Sequence, residues 1–269
     1  MIRLTGAQAV AERIGNSGKS DKSGKSEKSD FVIVDPRRPM KYLSGHLVGA
    51  VNLPVYRAFG DNGGLLDPAA LAEWLGAGGV GEGVTPVLYD SPQGQNAAML
   101  AWIMEYLGAP EVFLLDIFYE RWKAEGREVV YRPVEPVKRS FTPRLNSRLR
   151  ATLEEVRANT TDRLVDFRSR EEFIGERDLD GRPGHIPHAV NLVWRDLNGA
   201  EDRLLASREE LERRIAAAGI GHGQKVVAYC RSGPRAALGY LALTQAGYNA
   251  RLFDGSFAEW ARAGLPVEK

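Results

Sequence analysis

The chain has 269 residues, of which 43% are hydrophobic and 26% are charged, and these fractions exclude a disordered or collagen-like protein. Its 36 Lys and Arg residues nearly balance its 35 Asp and Glu residues, and a net charge of +1 does not favour nucleic acid or an anionic membrane as a partner. The sequence contains one cysteine, which excludes an intramolecular disulfide.

The first residues show no signal-peptide pattern, and no apolar run approaches the roughly 18 residues of a membrane helix. We therefore expect a cytoplasmic protein that binds no membrane. The first predicted element is a helix over residues 5–14, and the apolar residues 31–34 predict a strand. Between them, residues 16–30 read NSGKSDKSGKSEKSD and contain no apolar side chain, so we predict a flexible, solvated loop.

The two halves of the chain resemble each other. Each half runs from an apolar strand into an Asp-x-Arg motif, a short helix, a Gly-His pair and a Val-Asn-Leu sequence. Each half then continues with a second apolar strand, a polar loop, an amphipathic helix, a Gly turn, a further strand and a short helix that contains Trp. Asp90 stands in the first half where Cys230 stands in the second.

Strands that alternate with helices predict an α/β fold, in which each half is a domain with a mostly parallel sheet flanked by helices. We assign residues 1–135 to the first domain and residues 147–269 to the second. Residues 136–146 are the predicted linker, because the prolines in this region interrupt regular structure. The internal pseudo-symmetry favours a monomer.

Cys230 directly follows the apolar strand 226–229, and a short loop leads from it into a helix. Ligands of open α/β sheets bind at this place, where the carboxyl end of a strand meets the amino terminus of a helix. The N–H groups and the dipole of the helix, together with Arg231 and Arg235, favour an anion and a thiolate. A buried structural cysteine would explain neither the arginines nor the Gly-Pro loop. The pattern therefore indicates a reactive thiol that takes a small anionic substrate.

These residues lie within motifs in which the chain resembles the rhodanese family of sulfurtransferases, in its tandem-domain form. The motifs are CRSGPRA at residues 230–236, GHIP at 184–187 with AVN at 189–191, and FDGSFAEW at 253–260. The resemblance extends over nearly the whole chain apart from residues 16–30. It implies two rhodanese-like domains, of which the first lacks the catalytic cysteine.

The resemblance also implies a mechanism without cofactor or metal. Cys230 attacks the outer sulfur of a donor, becomes a persulfide, and passes this sulfur to a thiophilic acceptor such as cyanide or a thiol. Arg231 and Arg235 hold the anionic remnant of the donor, and backbone N–H groups of residues 231–236 stabilise the persulfide. The C-x4-R spacing argues against a phosphatase, because related phosphatase-like domains carry C-x5-R. The predicted loop consists of Arg231, Ser232, Gly233, Pro234, Arg235 and Ala236.

The residue after the cysteine indicates the donor. It is usually basic in tandem thiosulfate sulfurtransferases and usually Gly in 3-mercaptopyruvate sulfurtransferases, so Arg231 favours thiosulfate. Two positions depart from the pattern of the tandem enzymes. Glu172 stands where an arginine is often found, and Pro234-Arg235 replaces the common Val-Thr, so that Arg235 is closer to single-domain rhodaneses. We expect Arg170 to substitute for the missing arginine. The alternatives are a 3-mercaptopyruvate sulfurtransferase and a non-catalytic module that binds a partner or senses oxidants.

Three further residues are candidates for supporting roles. Asp166 and Arg168 follow a strand near the loop, where they either orient the loop or form a structural ion pair, and the repeat of this motif in the first half favours the ion pair. Trp194 is predicted near a substrate pocket at the domain interface. The spacing of His and Cys residues matches no metal motif, so we predict no metal.

Overall fold

The computed structural model of the chain describes residues 1–16, 31–159 and 161–269. The predicted flexible loop therefore lies outside the described residues, apart from Asn16, which ends a helix. The described part contains no helix with the length and apolar character of a membrane span. The chain divides into two compact units: unit 1 contains Met1–Phe59, Leu66–Leu145 and Glu201–Leu204, and unit 2 contains Gly60–Leu65, Asn146–Ala200 and Leu205–Lys269.

Unit 1 alternates strands with helices. Its strands are β1 (Ile2–Thr5), β2 (Phe31–Asp35), β3 (His46–Leu47), β4 (Val51–Asn52), β5 (Thr85–Leu88), β6 (Val112–Leu115) and β7 (Val129–Val130). Its helices are α1 (Ala7–Asn16), α2 (Pro39–Leu43), α3 (Pro68–Ala77), α4 (Gln95–Tyr106) and α5 (Tyr119–Ala124), with a 3-10 turn at Val55–Ala58.

A parallel sheet with the strand order β1-β6-β5-β2-β4 forms the centre of unit 1. Ile33 lies opposite Val87, and Val87 lies opposite Phe113. The strands are short and almost continuously apolar, as is typical of parallel sheets that are covered on both faces. Strands β3 and β7 form a separate antiparallel pair in which His46 lies opposite Val130.

Unit 2 has the same alternation of strands and helices. Its strands are β8 (Arg163–Asp166), β9 (Val190–Asn191), β10 (Lys225–Tyr229) and β11 (Asn249–Leu252), and they form a parallel sheet in the order β11-β10-β8-β9. Its helices are α6 (Leu153–Arg157), α7 (Arg170–Phe173), α8 (Arg208–Ala217), α9 (Pro234–Gln245) and α10 (Ser256–Arg262), with 3-10 turns at Ser147–Leu149 and Trp194–Leu197.

The two sheets share one topology, because β6-β5-β2-β4 in unit 1 corresponds to β11-β10-β8-β9 in unit 2. Where β1 lies at the edge of the first sheet, unit 2 has a parallel bridge between Arg150 and Leu252. The antiparallel pair of unit 1 has a counterpart in the bridge between His185 and Glu268. The predicted α/β fold, with two domains built on mostly parallel sheets, is confirmed.

The helices α4 and α9 follow the central strands β5 and β10, and both are buried along most of their length. A helix with apolar residues on every side is typical of such a position. Gly239 of α9 packs so closely against Phe167 that a Cβ at this residue would lie 2.4 Å from the aromatic ring. The absence of a side chain at Gly239 therefore lets α9 pack directly against the residue that follows β8.

The structure differs from the sequence analysis at the start of the chain. Residues 2–5, in part assigned to a helix, form β1, which pairs with β6 through Ile2 and Val112. Residues 136–146 contain no helix or strand, in agreement with the predicted interruption of regular structure. The N–H of Arg139 donates to the carbonyl of Gly76 at 2.9 Å, so part of this segment is bound along unit 1.

Candidate active site

Cys230 directly follows β10, and 1% of its surface is exposed to solvent. Two hydrogen bonds fix its backbone. Its N–H donates to the Ser256 hydroxyl at 3.1 Å, and its carbonyl accepts the N–H of Phe257 at 3.0 Å. Both partners lie at the start of α10, so two segments of unit 2 together position the thiol.

The Cys230 sulfur accepts a hydrogen bond from the backbone N–H of Gly233, with 3.2 Å between N and Sγ. Gly233 is the N-cap of α9 and has φ of +102°, a conformation that residues with a Cβ rarely adopt. The partial positive charge of the helix amino terminus acts in the same direction as this N–H. The loop therefore favours a negative charge on the sulfur, as a nucleophilic thiol requires.

Ser256 is a site residue that the sequence analysis did not single out, although it lies within the FDGSFAEW motif. Its side chain is buried, its Oγ donates to the carbonyl of Phe253 at 2.8 Å, and the Cys230 sulfur lies 4.0 Å from the same oxygen. The residue has φ of +56°, which is unusual for serine. Such strained backbone near a reactive group is typical of functional sites.

Arg235, on the first turn of α9, forms a two-pronged ion pair with Glu172 of α7. The distances are 2.6 Å from Nη1 to Oε2 and 3.0 Å from Nη2 to Oε1. Burial alone would lower the pKa of Arg235, but the hydrogen bond to Glu172 and the electrostatic interaction with Cys230 outweigh it and raise this pKa. The structure thus adds a carboxylate to the surroundings of Arg235, a residue that the sequence analysis placed in the donor-binding loop.

Trp194 lies in the 3-10 turn that follows β9 and is buried. The Arg235 guanidinium carbon lies 5.0 Å from the centre of its ring, within the range of a cation–π contact. Its indole N–H is also buried and has no acceptor in the part of the chain that the structure describes. Trp194 therefore belongs to the surroundings of Arg235, while its predicted place at a domain interface stays a prediction.

Arg231, the residue after the cysteine, also binds a carboxylate. Its Nε lies 3.0 Å and 3.1 Å from the two oxygens of Asp180, and its Nη2 donates to the carbonyl of Leu179 at 3.2 Å. This pair is more exposed than the first, with 41% of the Arg231 side chain accessible to solvent. Both arginines that the sequence analysis assigned to the donor therefore have a carboxylate partner within unit 2.

The remaining loop residues contribute mainly through their backbone. Ser232 is exposed, and Ala236 is buried within α9. Pro234 begins α9 and has no N–H, so it contributes no donor to the predicted cradle of N–H groups. Its fixed φ suits the first residue of a helix, which places Gly233 at the cap.

Asp166 and Arg168 form a buried ion pair at the end of β8, with 2.6 Å between Nη2 and Oδ2. Arg168 also donates to the carbonyl of Gly184 at 2.7 Å, and its guanidinium carbon lies 3.9 Å from the centre of the Phe257 ring. Burial raises the pKa of Asp166, while the charge of Arg168 opposes this shift. Arg168 thus links β8 to Phe257, whose N–H donates to the Cys230 carbonyl, and the ion pair stabilises the backbone around the thiol.

Arg170 is exposed, and its guanidinium carbon lies 6.0 Å from the centre of the Phe173 ring. Within the described residues, the structure does not bring Arg170 into contact with the loop of Cys230. The expectation that Arg170 substitutes for a missing arginine therefore receives no support. Instead Glu172, the residue that departs from the family pattern, reaches the loop through Arg235.

Asp90 holds the corresponding position in unit 1, after β5 and before α4. Its carboxylate accepts the backbone N–H groups of Ser91 at 2.8 Å, Asn96 at 2.9 Å and Ala97 at 3.0 Å. Burial raises the pKa of this carboxyl to about 6, although these hydrogen bonds lower it in part. The N–H groups that would face a sulfur nucleophile are thus bound to a carboxylate in unit 1.

The sequence model of the rhodanese-like domain matches the chain twice, at residues 20–125 and 148–263. The chain belongs to the rhodanese family. It is 32% identical to "Putative thiosulfate sulfurtransferase" of Mycolicibacterium smegmatis, and the match covers 90% of this chain and 92% of the relative. It is 30% identical to "Thiosulfate sulfurtransferase" of Corynebacterium glutamicum, with 99% of this chain and 90% of the relative covered.

Solved structures agree with this rhodanese assignment at the level of the fold. SseA from Escherichia coli, one of the 3-mercaptopyruvate sulfotransferases, matches with a TM-score of 0.79 at 24% identity, over 95% of this chain and 99% of the other. The anaerobic ergothioneine biosynthesis enzyme from Chlorobium limicola matches with a TM-score of 0.83 at 22% identity, over 96% of this chain and 69% of the other. This chain and SseA therefore share the rhodanese fold.

Proposed function

We propose that this chain is a thiosulfate sulfurtransferase that carries sulfur as a persulfide on Cys230. The observation that carries the proposal is the hydrogen bond from the Gly233 N–H to the Cys230 sulfur, at the start of α9. An N–H aimed at a sulfur stabilises negative charge on it, both as a thiolate and as a persulfide anion. The names of the relatives support the same activity.

The proposed reaction has two half-reactions. The Cys230 thiolate attacks the outer sulfur of thiosulfate, a new S–S bond forms, and the old S–S bond breaks with its electron pair on the leaving sulfite. A thiophilic acceptor then attacks the outer sulfur of the persulfide, and the bond electrons return to Cys230 as a thiolate. With cyanide the product is thiocyanate, and with a thiol it is a new persulfide, so neither half-reaction needs a cofactor.

The choice of donor rests on the charges around the thiol. Arg231 and Arg235 provide the cationic groups to which the sulfite part of thiosulfate would bind. Because Asp180 and Glu172 already bind them, a donor with less negative charge is the second candidate, and 3-mercaptopyruvate is such a donor. The structural likeness to SseA supports this alternative through the fold alone.

The test is the intact mass of the protein after incubation with each donor. We expect a gain of one sulfur, about 32 Da, with thiosulfate, loss of this sulfur on addition of cyanide, and no gain in Cys230→Ser. Faster loading by 3-mercaptopyruvate would assign the chain to the alternative donor. No gain with either donor would reject the enzyme and favour a non-catalytic module that binds a partner.

A further inference from the structure

Both arginines of the loop after Cys230 are bound to carboxylates before any donor arrives. Glu172 binds Arg235 at 2.6 Å, and Asp180 binds Arg231 at 3.0 Å. The two positive charges that an anionic donor would use are therefore balanced within unit 2. An anion that approaches the thiol must share these arginines with the carboxylates or displace them.

The two pairs differ in their contact with solvent. The side chains of Arg235 and Glu172 are 17% and 4% exposed, whereas those of Arg231 and Asp180 are 41% and 12% exposed. Solvent and salt screen exposed pairs strongly and buried pairs much less. Glu172 therefore competes with an anionic donor for its arginine more strongly than Asp180 does.

The Glu172 carboxylate is held in place independently of Arg235. Its Oε2 accepts the backbone N–H of Ser169 at 3.2 Å, and the Ser169 hydroxyl accepts the N–H of Glu172, which is the capping box of α7. Burial acts to raise the pKa of Glu172, but Arg235 outweighs it and lowers this pKa, so the group is ionised at neutral pH. The capping box thus holds the carboxylate beside Arg235 through contacts that do not involve this arginine.

We propose that Glu172, assisted by Asp180, is an internal counter-ion that an anionic donor must displace from the loop arginines, and that this competition sets donor affinity and selectivity. The inference rests on the proposed sulfurtransferase function. Glu172 repels a dianion such as thiosulfate more strongly than a donor that carries one carboxylate, such as 3-mercaptopyruvate. It therefore lowers the preference for thiosulfate that the arginines would otherwise give.

The test compares donor kinetics in Glu172→Gln with those of the wild type. Glutamine keeps the size of the side chain and an oxygen for the Ser169 N–H, but it removes the charge. We expect KM for thiosulfate to fall about tenfold and KM for 3-mercaptopyruvate to fall about threefold, with a smaller change in kcat. Asp180→Asn is expected to lower KM for thiosulfate about twofold, because its pair with Arg231 is more exposed.

Glu212→Gln is the matched control. It removes the same charge from an ion pair with Arg208 on α8, in which the arginine side chain is 70% exposed. We expect it to leave both KM values unchanged. A raised or unchanged thiosulfate KM in Glu172→Gln would overturn the inference, because Glu172 would then hold Arg235 in place as Asp166 holds Arg168. If Glu172→Gln does not fold, the Asp180→Asn result decides, and a thiosulfate KM that does not fall overturns the inference.

A binding measurement separates this inference from the proposed function. In Cys230→Ser, which cannot form a persulfide, calorimetry is expected to show thiosulfate binding that is about tenfold tighter when Glu172→Gln is added. No gain of sulfur by the wild-type protein from any donor would reject the proposed function. If the wild-type protein gains sulfur but thiosulfate binding is unchanged in the double variant, the proposed role of Glu172 is rejected and the proposed sulfurtransferase function is kept.

Discussion

The carboxylate of Asp90 accepts the backbone N–H of Ala97 at 3.0 Å, at the first turn of α4. In unit 2 the corresponding place after the central strand belongs to Cys230, whose sulfur accepts the N–H of Gly233. Both units therefore place a side-chain acceptor for backbone N–H groups at the start of the buried helix. In unit 1 this acceptor is a carboxylate, so the position has no thiol.

Asp90 gives a pH dependence of stability that can be isolated by substitution. Burial raises the pKa of its carboxyl to about 6 in the folded protein, from 3.8 in the unfolded chain. The folded state binds the proton more tightly, so the contribution of Asp90 to stability is present at low pH and is lost as pH rises through the folded pKa. The quantity to compare is the free energy of unfolding of the wild type minus that of Asp90→Asn. We expect this difference to be about 2 kcal/mol larger at about pH 4.5 than at about pH 7.5. Urea unfolding at several pH values measures this difference, and a constant difference would show that Asp90 ionises as in the unfolded chain.

Gly233→Ala tests the N–H that faces the thiol. The added Cβ is incompatible with φ of +102°, so we expect a cost of about 1–3 kcal/mol and a shift of the N–H away from Sγ. Persulfide formation, followed by intact mass under single-turnover conditions, is expected to slow by about tenfold or more. Gly223→Ala is the control, because Gly223 also has a positive φ, of +82°, in a turn before β10. It should lose stability while each folded molecule forms persulfide at the wild-type rate, and equal slowing in both variants would contradict the role of the Gly233 N–H.

Ser256 provides a matched pair of substitutions, because its hydroxyl accepts the Cys230 N–H and its φ is positive. Ser256→Ala leaves this buried N–H without its acceptor, which should cost about 1–3 kcal/mol. Ser256→Gly loses the same acceptor but adopts φ of +56° without steric strain, so it should be at least as stable as the alanine variant. Chemical denaturation of both variants makes the comparison. Wild-type stability in Ser256→Ala would show that the hydrogen bond contributes nothing to the fold.

Arg231→Gly tests the donor preference that the sequence analysis derived from this residue. Loss of the guanidinium removes the positive charge of the residue after Cys230 and leaves the Asp180 carboxylate without its partner at 3.0 Å. The remaining negative charge disfavours a dianionic donor more than a donor with one carboxylate. We expect kcat/KM for thiosulfate to fall about fivefold relative to kcat/KM for 3-mercaptopyruvate. Steady-state kinetics with each donor and cyanide measures the ratio, and an unchanged ratio would remove Arg231 from donor selection.

Local sequence patterns were sufficient for much of the fold and for the position of Cys230. The repeated order of apolar runs and helices predicted two similar parallel sheets, and the position of Cys230 between a strand and a helix predicted a thiol at a helix amino terminus. The strand β1 was missed because Ile2–Thr5 is short and pairs with β6, which lies more than a hundred residues away along the chain. Pairing at that distance leaves no local signal.

The charge balance of the site required three-dimensional information. Glu172 and Arg235 lie 63 positions apart, and the sequence analysis treated each as a separate departure from the family. A glutamate in place of an arginine, together with an arginine in the loop, was a signal for a pair, and Ser169-x-x-Glu172 was a visible capping box. The unusual backbone of Ser256 left no such signal, because a positive φ in serine depends on the packing around it.

The burial of the thiol has a consequence for damage by oxidants. Cys230 is the one cysteine in the sequence, so a sulfenic acid formed on it has no second thiol in the chain with which to form a protective disulfide. Recovery therefore depends on a thiol from outside, and further oxidation to the sulfinic acid removes the proposed nucleophile irreversibly. With 1% of the residue exposed, the fold disfavours a disulfide between the Cys230 residues of two copies of the chain.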